Sequence, residues 1–142
     1  MVACPKPTRP TPQRDWREKA IETAKKIVRL EGECERCGRK APFYKMHGAH
    51  IVSSKYSNVC ADLDNLICLC CACHVSANNS AHLNERLFHE WLESKHPARL
   101  EALKIEARKQ YIKIDFEEIY TTRLAQYKKA LEDKAKAEEV LV

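Results

Sequence analysis

Four cysteines, an asparagine and a histidine fall within ten positions, NLICLCCACH at residues 65–74. The stretch offers two overlapping Cys-x-x-Cys pairs, Cys68/Cys71 and Cys70/Cys73, and CERC upstream adds Cys34 and Cys37. Eight cysteines in 142 residues would suggest disulfides in a secreted chain. The start, MVACPKPTRPTPQRDW, is instead polar and proline-rich, with no apolar h-region. No run approaches the roughly 18 apolar residues that a membrane span requires. The expected setting is the reducing cytoplasm, without membrane association, where clustered cysteines bind metal more often than each other.

A Cys4 zinc site closes on four thiolates and supplies folding energy that a small core lacks. In CERC the following Gly38 allows the tight turn of a knuckle. Strand parity bears on the overlapping pairs. DLDNLICLC reads as a turn and then a strand, with Leu66, Cys68 and Cys70 on one face. A knuckle forms where a strand ends, which favours Cys70/Cys73 and sets His74 just inside the next helix. Cys68/Cys71 would put the knuckle within the strand. The expected ligands are Cys34, Cys37, Cys70 and Cys73. Cys68 is then a small core residue, and Cys4, Cys60 and Cys71 are spare thiols.

Around this segment the chain is helical. Residues 1–14 hold prolines and no apolar period, so they read as a flexible arm. Asp15 is suited to cap a helix reaching about Leu30, with Trp16, Ala20, Ile21, Ala24, Ile27 and Val28 on its buried face and Gly32 ending it. From residue 83, Leu83, Leu87, Phe88, Trp91 and Leu92 share a face, and Pro97 ends that helix or starts the next. Leu100, Leu103, Ala107 and Tyr111 continue the pattern. In the last segment Phe116, Tyr120, Leu124, Tyr127 and Leu131 approach a coiled-coil seam. Such a helix needs a partner, either the first helix or a second copy of the chain. The net charge is +5, with the excess in residues 1–75, which is compatible with nucleic acid.

CERC, AHIVSS and DLDNLICLCCACH together resemble the HNH, or ββα-metal finger, endonuclease family. The match spans residues 34–74, with Asn65, Leu66, Leu69, Cys70, Cys73 and His74 in register. The resemblance implies that His50 is the general base acting on the water that attacks phosphorus. It implies that Asn65 ties the ββ loop together and holds the His50 ring. It also implies that His74 ligates a catalytic divalent ion (Mn²⁺, Mg²⁺, Co²⁺ or Ni²⁺), the zinc being structural. The family's further ligand before the base is replaced here by Ala49. His47, two residues earlier on the same strand face, is the expected substitute, and Asn78, one helical turn after His74, the other. Without a carboxylate, such a site is expected to favour Mn²⁺, Co²⁺ or Ni²⁺ over Mg²⁺. His82, His89 and His96 read as ordinary surface or helix-packing residues.

The expected class is therefore α+β but mostly α. A small zinc-stabilised ββα-metal finger at residues 33–82 follows a helix at 15–32 and precedes a helical, dimerising extension at 83–142. Within the family the stretch from His47 to His74 most resembles phage NinG/Rap-type recombination and junction-resolving nucleases, which implies a homodimer acting on branched DNA. Homing, restriction or packaging-type nucleases on duplex DNA are the neighbouring alternatives. The rival classes are a zinc-stabilised DNA-binding module with an inert finger, and an adaptor dimerising through its last helix.

Overall fold

The computed structural model describes residues 12–110 and 113–140. The proline-rich start, Cys4 and Tyr111 lie outside the described residues. The chain is mostly helical around one small antiparallel hairpin. Helix α1 spans Gln13–Arg29, with Ala20, Ile21, Thr23 and Ala24 buried. It starts two residues earlier than the expected Asp15 cap. The carbonyl of Pro12 accepts from the amides of Asp15 and Trp16, so Asp15 lies inside the first turn, where its charge favours the helix dipole. The amides of Leu30, Glu31 and Gly32 close the other end on the carbonyls of Ile27, Val28 and Arg29.

Strand β1, Met46–His50, pairs with β2, Leu66–Cys70, in a register that sets Gly48 opposite Cys68 and His50 opposite Leu66. All five residues of β2 are buried, so the strand lacks the solvent face that simple alternation implies. Gly48 explains one side of this. A Cβ built there would meet Lys25 of α1 at 2.9–3.1 Å, at its Cγ, Cβ and backbone Cα. The hairpin and α1 therefore touch through a position with no side chain. Gly48→Ala is expected to lower unfolding stability by about 1–3 kcal/mol, the usual cost of overpacking, read from chemical-denaturation midpoints. Ile67 and Leu69, of opposite parity, share a buried cluster with Phe88, Leu92, Leu100 and Leu103.

After β2 a single π-helical turn covers Ala72–Ser76, and α2 (Glu85–Lys95) and α3 (Pro97–Arg108) follow. Asn84 caps α2, its side-chain oxygen accepting from the amide of Leu87 at 3.1 Å. Leu83 therefore precedes the helix and is 63% exposed, contrary to its expected place on the buried face. Pro97 opens α3. Helix α4, Phe116–Val140, packs on α1. Phe116 is buried there, and the rings of Trp16 and Tyr120 lie 5.7 Å apart. The first helix thus covers the start of the α4 seam. At about 1.5 Å per residue, α4 outruns α1 by roughly 12 Å, and Leu131 is left 41% exposed. No helix among the described residues is long and apolar enough to cross a membrane.

Candidate functional site

The four cysteines come from two tight turns. Cys34 and Cys37 flank a knuckle in which the Gly38 amide bonds to the Cys34 carbonyl at 2.9 Å, with Gly38 at φ +78°. Cys70 ends β2, and Cys73 lies in the π turn. The amide of Glu35 bonds to the Cys68 carbonyl at 2.9 Å and fastens the knuckle to the strand. As a result the Sγ atoms of Cys34, Cys37, Cys70 and Cys73 all lie within 4.8 Å of one another. Of the overlapping pairs, it is Cys70/Cys73 that meets the upstream knuckle. Cys71 is exposed, while Cys68 and Cys60 are buried. Burial, then the charges of Glu31 and Glu35, push the Cys68 thiol up to about 11.

The donor set fits zinc. Bonds of about 2.3 Å in a tetrahedron require sulfur–sulfur edges of about 3.8 Å, and Cys37 Sγ stands 3.7 Å from Cys70 Sγ. Burial raises the Cys34 thiol, but hydrogen bonds from the backbone of Cys37, Cys70 and Arg36 outweigh it and bring the pKa down to about 7. Cys73 is pushed well up by burial and by the neighbouring thiols. One thiolate is thus favoured while further negative charge is opposed, and a divalent cation removes that conflict.

A second group of residues lines a cavity of about 520 Å³, where His50, His74, His82, Lys25 and Glu85 converge. His50 stands at the end of β1. Its Nε2–H donates to the Cys60 carbonyl at 2.9 Å, so Nδ1 carries the lone pair. Burial, with Lys25 and Arg17 nearby, lowers its pKa against the opposing effect of that carbonyl. Asn65 is wholly buried. Its Oδ1 accepts from the Val52 amide at 2.7 Å, and its Nδ2 donates to the carbonyls of Val52 and Val59 at 3.0 Å. Asn65 therefore closes the loop between the strands, its side-chain hydrogen bonds going to the backbone of Val52 and Val59. The ring is held one step further on, by Cys60.

His74, in the π turn, contacts two other imidazoles. Its Nδ1 lies 2.8 Å from Nδ1 of His47, and its Nε2 lies 3.0 Å from Nε2 of His82. Burial, then His82 and His47, lower its pKa to about 4, so the ring is neutral at neutral pH. Asn78 does not sit a helical turn after His74. The helix stops at Ser76, Ala77 is extended, and Asn78 is exposed in the turn beyond. The chain doubles back there, with the Ala81 amide on the Cys73 carbonyl at 2.9 Å and the His82 amide on the His74 carbonyl at 3.0 Å. This return brings His82 to the site, which sequence spacing missed. The turn-forming run Asn78-Asn79-Ser80 is the signal that bears on it. Glu85 supplies the cavity with a carboxylate, whereas Asp62 is engaged in capping the amide of Asp64.

No curated protein and no solved structure matches the chain. The family model for HNH endonuclease matches residues 34–80, the span that holds the four-cysteine cluster, His50, Asn65 and His74.

Proposed function

We propose that the chain is a metal-dependent DNA endonuclease with His50 as general base. What carries this reading is one observation: His50, its Nε2 held by the Cys60 carbonyl, and the His74 imidazole line the same cavity. In the proposed reaction Nδ1 of His50 takes a proton from water as its oxygen bonds to phosphorus, and the bond to the 3′ oxygen breaks. The leaving 3′ oxygen takes up a proton from solvent water, so the products are a 5′ phosphate and a 3′ hydroxyl. His74 would hold a divalent ion, which when bound would supply charge stabilisation for the phosphorane and the leaving oxygen. Asn65 keeps the loop closed, and Cys60 fixes the tautomer of His50. Lys25, on the cavity wall, offers a cation to the phosphate backbone. The four cysteines hold a structural zinc.

The test is cleavage of linear, nicked and four-way DNA with added divalent ions, comparing wild type with His50→Ala. Binding without cutting would favour a zinc-stabilised DNA-binding module. Preference for the four-way substrate would support the branched-DNA reading, and preference for linear duplex a homing, restriction or packaging type. The far end of α4, with Leu131 exposed, is the surface proposed for a homodimer, in which two sites could make paired cuts. Sedimentation at micromolar concentration is expected to give twice the 16.4 kDa chain mass. A single-chain mass would remove the preformed dimer.

A further inference from the structure

We infer that His82 is a second imidazole ligand of the divalent ion at His74, bound through Nε2, with His47 as the hydrogen-bond partner that orients His74. This rests on the reading of His74 as a metal ligand. Three features carry it. First, His74 and His82 line the cavity together with His50, and His47 does not. An ion reached from the His50 side therefore meets Nε2 of His74, not Nδ1. Second, the two Nε2 atoms are 3.0 Å apart with rings at 81°. Two bonds of about 2.1 Å at right angles span about 3.0 Å, one edge of an octahedral shell. Third, among the described residues the four cysteines are the one group of three or more His, Cys, Asp or Glu side chains whose ligand atoms converge closely enough for a single ion. One ion cannot take all three imidazoles in this arrangement.

The protons balance. With His74 Nδ1–H donating to His47, the His74 Nε2 lone pair points at His82. On metal binding the His82 proton moves from Nε2 to Nδ1, which its exposure to water permits. His47 then does for His74 what an outer partner does for many metal-bound histidines, fixing tautomer and ring plane. The return turn holds His82 in place through the Cys73 and His74 carbonyls. Ala49, buried before the base, offers no donor, and His82 fills that deficit from across the cavity.

The experiment is long-range ¹H–¹⁵N NMR of the imidazoles in zinc-replete protein titrated with further Zn²⁺. The ring nitrogens are read one by one, so ions captured elsewhere do not enter the result. The expected outcome is that Nε2 of both His74 and His82 moves to the metal-bound range while both His47 nitrogens stay free. His82→Ala, at an exposed position, should keep the fold and weaken the second ion by more than the roughly 10–100-fold that loss of an outer partner costs. His47→Ala should retain both bound Nε2 signals. Coordination by His47 with His74, or no response at His82, would overturn the assignment. If His82 coordinates but no DNA is cut under any ion, the ligand pair stands and the nuclease reading falls. If cutting depends on His50 while His82 stays free, only the ligand assignment falls.

Discussion

Alanine at position 50 is expected to lower metal-dependent cleavage by roughly 10²–10⁴-fold, the usual contribution of a general base, with zinc content and DNA binding unchanged. The imidazole is half-buried and hydrogen-bonds to the Cys60 carbonyl, a contact outside the strand pairing and the four cysteines, so its removal is expected to leave the hairpin and both knuckles in place. The pH profile gives a second check. Burial lowers the pKa of His50, so the base form already predominates below the ordinary value of about 6.5. Cleavage should therefore rise with pH along a limb centred below that value, and His50→Ala should lose the limb. Wild-type rates in the variant would remove His50 from the chemistry.

Cys70→Ser is expected to abolish stoichiometric zinc and to unfold the finger, whereas Cys71→Ser should change neither. The two residues are neighbours, yet Cys70 Sγ meets the other three thiols and accepts from the Cys73 amide at 3.5 Å, while Cys71 is exposed. Structural zinc in small fingers binds with an apparent 10–16 kcal/mol, comparable with the whole stability of a domain, about 5–15 kcal/mol. Losing one of four ligands removes a large share of that. Metal analysis per chain and thermal unfolding decide the matter. Zinc retained in Cys70→Ser but lost in Cys71→Ser would assign the other pair.

Local features of this protein were legible in its sequence because they depend on short-range geometry. A strand ending at Cys70 and a knuckle turn at Gly38 determine which sulfurs leave the chain together, and both follow from residue order. Pro97 at a helix boundary and Gly32 past a helix end are legible for the same reason. The position of Asn65, where the loop between the strands closes, followed from the motif. Other features depend on surfaces far apart in sequence. The Asp15 cap failed because Pro12, three residues earlier, supplies the first carbonyl. Leu83 came out exposed because α2 waits for the Asn84 cap. The α4 seam found α1 as cover, a contact that α4's own 4-4-3-4 spacing could not choose over a second subunit.

The histidines show the division most clearly. The resemblance of the local motif singled out His50 and His74, each adjacent to a strand or knuckle. A helical-spacing argument also offered Asn78, as the alternative to His47, by assuming that the helix continued. The tertiary structure instead ends that helix at Ser76 and folds the chain back on the Cys73 and His74 carbonyls, which brings in His82 and leaves Asn78 in solvent. Helical periodicity holds only while the backbone repeats its dihedrals. Once a turn breaks the repeat, proximity is decided by which carbonyls and apolar surfaces the returning chain can satisfy, and that is a property of the folded whole.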